Sequence, residues 1–151
     1  MTVRLQAEDF DVSVEAEALL GGRDDVGALV TFVGIVRNRD DGSLLSLELE
    51  HYPGMTEKAL GTIEQEAISR WSLNASLIIH RYGKMIPGER IMMVATAAGH
   101  RRDAFAAAEF LMDYLKSRAP FWKKEHTTTG SDWVDALPED ENALGRWAGE
   151  V

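Results

Sequence analysis

"ASLIIHRYGKMIPGERIMMVATAA", residues 75–98, decides the fold class. It reads as two apolar strands, residues 75–82 and 90–98, joined by a turn around Pro87-Gly88. Proline presets φ at one central turn position, and glycine permits a positive φ at the next. A connection this short favours an antiparallel pair, because a parallel pair needs a crossover of about a dozen residues or more.

Working outward, residues 102–117 form the clearest helix, with Phe105, Ala108, Leu111, Met112 and Leu115 as its expected buried stripe. Upstream, Pro53-Gly54 makes a second turn. Thr56 is expected to cap a helix running to Trp71 whose inner side holds Leu60, Ile63, Ala67 and Trp71. Leu45, Leu47, Leu49 and His51 alternate with Ser46, Glu48 and Glu50, the period of a strand with one wet face. Residues 27–37 (GALVTFVGIVR) read as a central strand in which Gly34 marks a bulge or a close backbone approach. Residues 3–7 form a short strand. Residues 12–20 form a short helix, capped by Asp11 or Ser13 and stopped by Gly21-Gly22. The sum is an α+β fold: a mainly antiparallel sheet with packed helices, one domain over residues 1–151, and an acidic, poorly patterned tail from about 137 to 151.

The 151 residues carry a net charge of -9, which argues against nucleic acid or an anionic membrane as partner. No cysteine is present, so disulfides, thiolate metal sites and a cysteine nucleophile are excluded. The same absence fits a reducing compartment, and the N-terminus shows no apolar signal region, so the reading is cytoplasmic. No metal-ligand spacing involves His51, His80 or His126, and a lone strand histidine is more often structural. No cofactor is expected.

Against this acidic background, residues 114–126 (YLKSRAPFWKKEH) gather four cations around a proline. The residue before a proline is pushed out of helical geometry, so the helix ends at Ala119-Pro120 and residues 121–126 return extended. That bend lets Lys116 and Lys123 face one pocket. Two neighbouring cations lower each other's pKa, as does burial, and a lysine so tuned serves nucleophilic or acid–base chemistry. Cations at a helix C-terminus also complement the macrodipole. This accounts for Lys116 and Arg118 without any chemistry but leaves Lys123 and Lys124 unexplained. Gly99-His100-Arg101-Arg102 places cations at a helix N-terminus, which favours a bound anion or, equally, solvated arginines and a pair with Asp103. Arg37-Asn38-Arg39 offers a further anion contact or a plain polar strand end.

Five passages in order, FVGIVRN (32–38), LELEHYPGMTEKAL (47–60), HRYGKMIPGE (80–89), GHRRDAF (99–105) and MDYLKSRAPFWKKE (112–125), resemble the large, catalytic subunit of molybdopterin synthase. The resemblance covers most of the chain. It implies an α/β-hammerhead-like fold and a central homodimer within a heterotetramer. It also implies a small ubiquitin-like partner whose C-terminal thiocarboxylate carries the sulfur. The implied substrate is cyclic pyranopterin monophosphate, converted by two sulfur transfers to the dithiolene of molybdopterin. By the same motifs, Lys116 and Lys123 are the catalytic pair. Ile35, Val36, Arg37, His100, Arg101, Lys124 and Glu125 join them in binding substrate, with His100 and Arg101 serving the neighbouring subunit's lysines. Two positions depart from the family pattern: Lys124 stands where arginine is frequent, and Gly99 where another small residue is usual. A non-catalytic binding module for a phosphorylated metabolite or acidic tail would use the same cations. Single-stranded nucleic-acid binding by the Lys/Trp cluster is the third alternative, weakened by the net charge.

Overall fold

The computed structural model describes residues 2–134 and 138–148. In order the elements are β1 (Thr2–Gln6), α1 (Val12–Leu20), β2 (Ala28–Ile35), β3 (Leu44–His51), α2 (Met55–Trp71), β4 (Ala75–Arg81), β5 (Gly83–Met85), β6 (Arg90–Ala98), α3 (Arg101–Ser117), β7 (Phe121–Thr127), β8 (Gly130–Val134) and α4 (Pro138–Ala143). A 3-10 turn, Leu144–Arg146, follows. The strands form two four-stranded sheets, ordered β1-β4-β6-β2 and β5-β3-β7-β8. Every pairing is antiparallel except β1 with β4. The architecture is therefore α+β with a mainly antiparallel pattern.

Strands β4 and β6 pair directly and form the centre of the first sheet. All seven residues of β4 are buried, because helices cover both faces. Ile78, Met92 and Val94 meet Leu60 and Ala67 of α2 and Phe110 and Leu111 of α3. On the opposite face Leu77, Ile79, Met93 and Ala95 meet Phe10 and the apolar side of α1. Fully burying a side chain such as Phe110 stabilises the fold by roughly 2–3 kcal/mol. The β4–β6 link is more than the expected turn. It carries β5, which pairs with β3 of the second sheet and buries Met85 among Val36, Leu44, Leu47 and Leu49. The turn itself sits where expected: Gly88 has φ +95°, and Glu89 N–H donates to the Ile86 carbonyl at 3.1 Å, the bond that closes a β-turn.

Several local expectations hold. Asp11 caps α1, its Oδ1 accepting from Val14 N–H at 3.0 Å, and Gly21 ends it in the left-handed region. The β2–β6 register slips between Gly34 and Ile35, and a Cβ on Gly34 would lie 3.3 Å from the Met92 side chain. Four others are corrected. β2 lies at the edge of the first sheet rather than at its centre, pairing among the described residues only with β6. Phe105 points outward and is 62% exposed. The inner face of α3 is Ala104, Ala107, Ala108, Phe110, Leu111 and Leu115, and its three alanines let the helix lie close to the sheet. Leu45 is also exposed, because an irregularity between Leu44 and Ser46 turns Leu44 inward instead. Thr56 lies inside α2 rather than at its cap. Gly54 caps the helix, donating its N–H to Glu57 at 2.6 Å. The Thr56 hydroxyl is buried, accepts from Tyr52 N–H and donates to the Pro120 carbonyl, both at 3.1 Å.

The acidic tail is better patterned than its composition implies. Leu144 and Trp147 are buried, and Trp147 packs edge-on against Trp71 and Phe110 while its Nε1 donates to Asp113 at 2.6 Å. Residues 137 and 149–151 of that tail lie outside the described residues. Among the described residues, no helix is long and apolar enough to cross a membrane.

Candidate functional site

Where the two sheets meet, a cavity of about 470 Å³ opens. Its walls are mainly apolar, from β2, β3, β6 and the C-terminal half of α3. Among the described residues, four ionisable side chains reach it: Lys116, Lys123, His80 and Asp140. Ile35 lines it as well.

The two lysines arrive there because of the bend between α3 and β7. Helix α3 closes with Arg118 N–H and Ala119 N–H both donating to the Tyr114 carbonyl, at 2.7 and 3.2 Å. Pro120 has no N–H to continue the ladder. Phe121 N–H turns back to the Ala119 carbonyl at 2.8 Å, and β7 then runs antiparallel to β3. The bend is pinned from outside by Thr56 through the Pro120 carbonyl. Lys116 thus sits on the last helical turn and Lys123 on the third residue of the returning strand.

Burial, and secondarily the Lys116 charge, hold the Lys123 ammonium below its ordinary pKa, with Glu125 and Asp140 opposing. His80 is pushed down to about 4 by burial. Its hydrogen bond to the Arg81 carbonyl opposes that shift, while Lys116, Lys123 and His51 reinforce it. At neutral pH the His80 imidazole is therefore neutral, in a cavity it shares with the two lysines.

The remaining expected residues fall elsewhere. Val36 is buried in the second sheet's core, and its backbone is already used: its N–H donates to Glu89 and its carbonyl accepts from Gly88. Its N–H is therefore committed within the protein. Arg37 is exposed beyond the end of β2. Strand alternation sends Lys124 to the face opposite Lys123, where its ammonium lies 5.1 Å from the Trp133 ring centre. Glu125 shares a face with Lys123 and pairs with Arg39 at 3.6 Å. His100 caps the N-terminus of α3 without a side-chain bond to the helix, and Arg101 is exposed beside it. Lys116 lies sixteen residues further along the same helix than His100. At 1.5 Å per residue that is about 24 Å, too far for one ligand to bridge within one chain.

His80 and Asp140 were not among the expected site residues. A lone strand histidine carries no spacing signal, and only the placement of α4 brings Asp140 to the cavity. Among the described residues, no cluster of His, Asp and Glu is arranged to hold a metal.

Residues 5–118 match the family model described as MoaE protein. The chain is 59% identical over 147 residues to the molybdopterin synthase catalytic subunit of Cereibacter sphaeroides, covering 97% of this chain and all of that one. It superposes on the molybdopterin biosynthesis MoaE protein of Burkholderia ambifaria with a TM-score of 0.84 and 53% identity, covering 99% of both chains. A chain from the complex of subunits 1 and 2 of the molybdopterin-converting factor of Helicobacter pylori shares the fold, with a TM-score of 0.73 and 19% identity over 88% of this chain and 90% of that one.

Proposed function

The chain belongs to the MoaE protein family, a molybdopterin synthase catalytic subunit by kinship and so a sulfur-transferring enzyme, and on that premise we propose that the lysine-lined cavity is where sulfur is transferred. The observation that carries this reading is the convergence of Lys116 and Lys123 on one cavity in a chain without cysteine. Sulfur must then arrive on another molecule. The donor is a small ubiquitin-like subunit with a C-terminal thiocarboxylate, and the acceptor is cyclic pyranopterin monophosphate. Two transfers, through a half-sulfurated intermediate, form the dithiolene of molybdopterin.

In this reading Lys116 performs the proton transfer or electrostatic work at the reacting carbon. Lys123 orients the thiocarboxylate and stabilises the charge left on the acyl group. The apolar walls exclude water and strengthen both interactions. His100 and Arg101 bind the substrate phosphate in the neighbouring subunit's site, which the length of α3 requires if they act at all beside these lysines. The same reading has the chain self-associate through the β2 edge of the first sheet, where Phe32 and Ile35 are large, apolar and exposed; Phe105 on α3 is exposed as well. A homodimer with one carrier subunit at each end is a heterotetramer, assembled in the cytoplasm without a bound cofactor.

The test is product analysis after mixing the purified chain with thiocarboxylated carrier and the pyranopterin. Lys116→Ala and Lys123→Ala should each reduce dithiolene formation by about 100-fold or more while the fold survives. Full activity in both variants would refute the assignment.

A further inference from the structure

His80 has no part in the function argued so far, yet it sits in the same cavity as the lysine pair. Its ring is held on two sides. Nδ1 lies 2.9 Å from the Arg81 carbonyl, and a carbonyl can only accept, so Nδ1 carries the proton. The ring also stacks on Phe121, with centroids 3.9 Å apart and planes 20° from parallel, so it cannot rotate freely. In a neutral imidazole with Nδ1 protonated, Nε2 is a bare lone pair. The two ring nitrogens point in nearly opposite directions, so Nε2 faces away from its own backbone.

The groups around the ring are His51 from β3, Lys116 from α3, Lys123 from β7 and Asp140 from α4, with only the Arg81 backbone from its own strand. Of the two ammonium groups, Lys116 exerts the stronger field on His80. An ammonium carries three donors and no acceptor, so a neutral lone pair beside it is a natural partner. Among the described lining residues the one other acceptor side chain is Asp140, an acid carried by the tail helix rather than held in a strand.

We propose that His80 is a positioning residue of this site, its Nε2 accepting a hydrogen bond from the Lys116 ammonium and holding that amine toward the reacting carbon. The inference rests on the reading of the cavity as the sulfur-transfer site. It assigns the Phe121–His80 stack a purpose. Phe121 follows the proline bend directly, so the turn that brings Lys123 into the cavity also clamps the ring that aims Lys116.

Two substitutions separate this role from plain packing. His80→Asn keeps a donor near the Nδ1 position and loses the acceptor at Nε2. His80→Gln keeps an acceptor near Nε2. Single-turnover transfer should fall about 10- to 100-fold in His80→Asn, with KM for the pyranopterin little changed, and stay within a few-fold of wild type in His80→Gln. A hydrogen bond to the ammonium favours the charged form. Its loss should therefore move whichever limb of the pH–rate profile reports the lysine to lower pH, by about one unit. Equal loss in both variants, or none in His80→Asn, overturns the proposal. Nitrogen-15 NMR of the wild-type protein tests it without any substitution: the His80 ring must show the Nδ1–H form at pH 7, and an Nε2–H form overturns the proposal even if both variants fail to fold. If wild-type protein itself transfers no sulfur, the reading of the site fails, and the NMR result still stands on its own.

Discussion

The Lys123 ammonium is held below its ordinary pKa, first by burial and then by the Lys116 charge. A lysine whose folded-state pKa lies below its ordinary 10.5 binds fewer protons folded than unfolded between the two values. Stability therefore rises with pH through that window, and the cost of the buried charge is full below the folded-state value. Lys123→Met removes the charge and keeps the volume. It should raise Tm by about 2–4 °C at pH 7 while abolishing sulfur transfer, and the gain should shrink as pH approaches 10.5. Thermal melts across pH check this, and a lower Tm at pH 7 would contradict it. At this scale the lysine pair was legible because both residues flank a proline whose effect is local. His80 was not legible, since its partners Phe121, Lys116 and Lys123 are 36 to 43 positions away, and only sheet packing brings them together.

At the scale of elements, the start of β2 and the start of α3 meet backbone to backbone. Gly27 N–H donates to the Ala98 carbonyl at 2.9 Å, and a Cβ on Gly27 would lie 2.1 Å from the Gly99 carbonyl oxygen. Neither backbone can yield without displacing the loop that presents His100. Gly27→Ala should cost about 1–3 kcal/mol in urea denaturation. Gly99→Ala meets nothing within 4 Å and should stay within about 0.5 kcal/mol of wild type. The family's usual small residue at position 99 is thus readily accommodated, although Gly99 departs from it. Element identity was largely readable from hydrophobic period, as β4, β6 and α3 show. The errors were of face. Phe105 fits a helical stripe as well as Ala104 does, and only the closeness of α3 to the sheet selects alanine for the inside. Leu45 was misplaced by an irregularity that leaves no mark in a period-two pattern.

For the whole molecule, the sixteen-residue rise from His100 to Lys116 makes a symmetric assembly the simplest way to complete the site. Arg101→Ala and Lys116→Ala should each be inactive alone. Subunits of the two variants, exchanged into mixed dimers, should regain a measurable fraction of wild-type activity, because one pocket in each mixed dimer is intact. Inactive mixed dimers would show that Arg101 does not serve the neighbour's lysines. That separation was available from the sequence, since helix length alone implies it. The docking of Leu144 and Trp147 on the first sheet's helices was not, because two apolar residues in an acidic stretch form too short a pattern to read.

The detour through β5 has a kinetic consequence. The chain leaves the first sheet after β4, contributes three residues to the second, and re-enters the first at β6. Neither sheet is a contiguous segment, and the short links on either side of β5 couple the formation of one to the other. Folding should be all-or-none, with amide protons of β5 exchanging in step with those of β6. The lysine-lined cavity where the two sheets meet then takes shape only once both have closed.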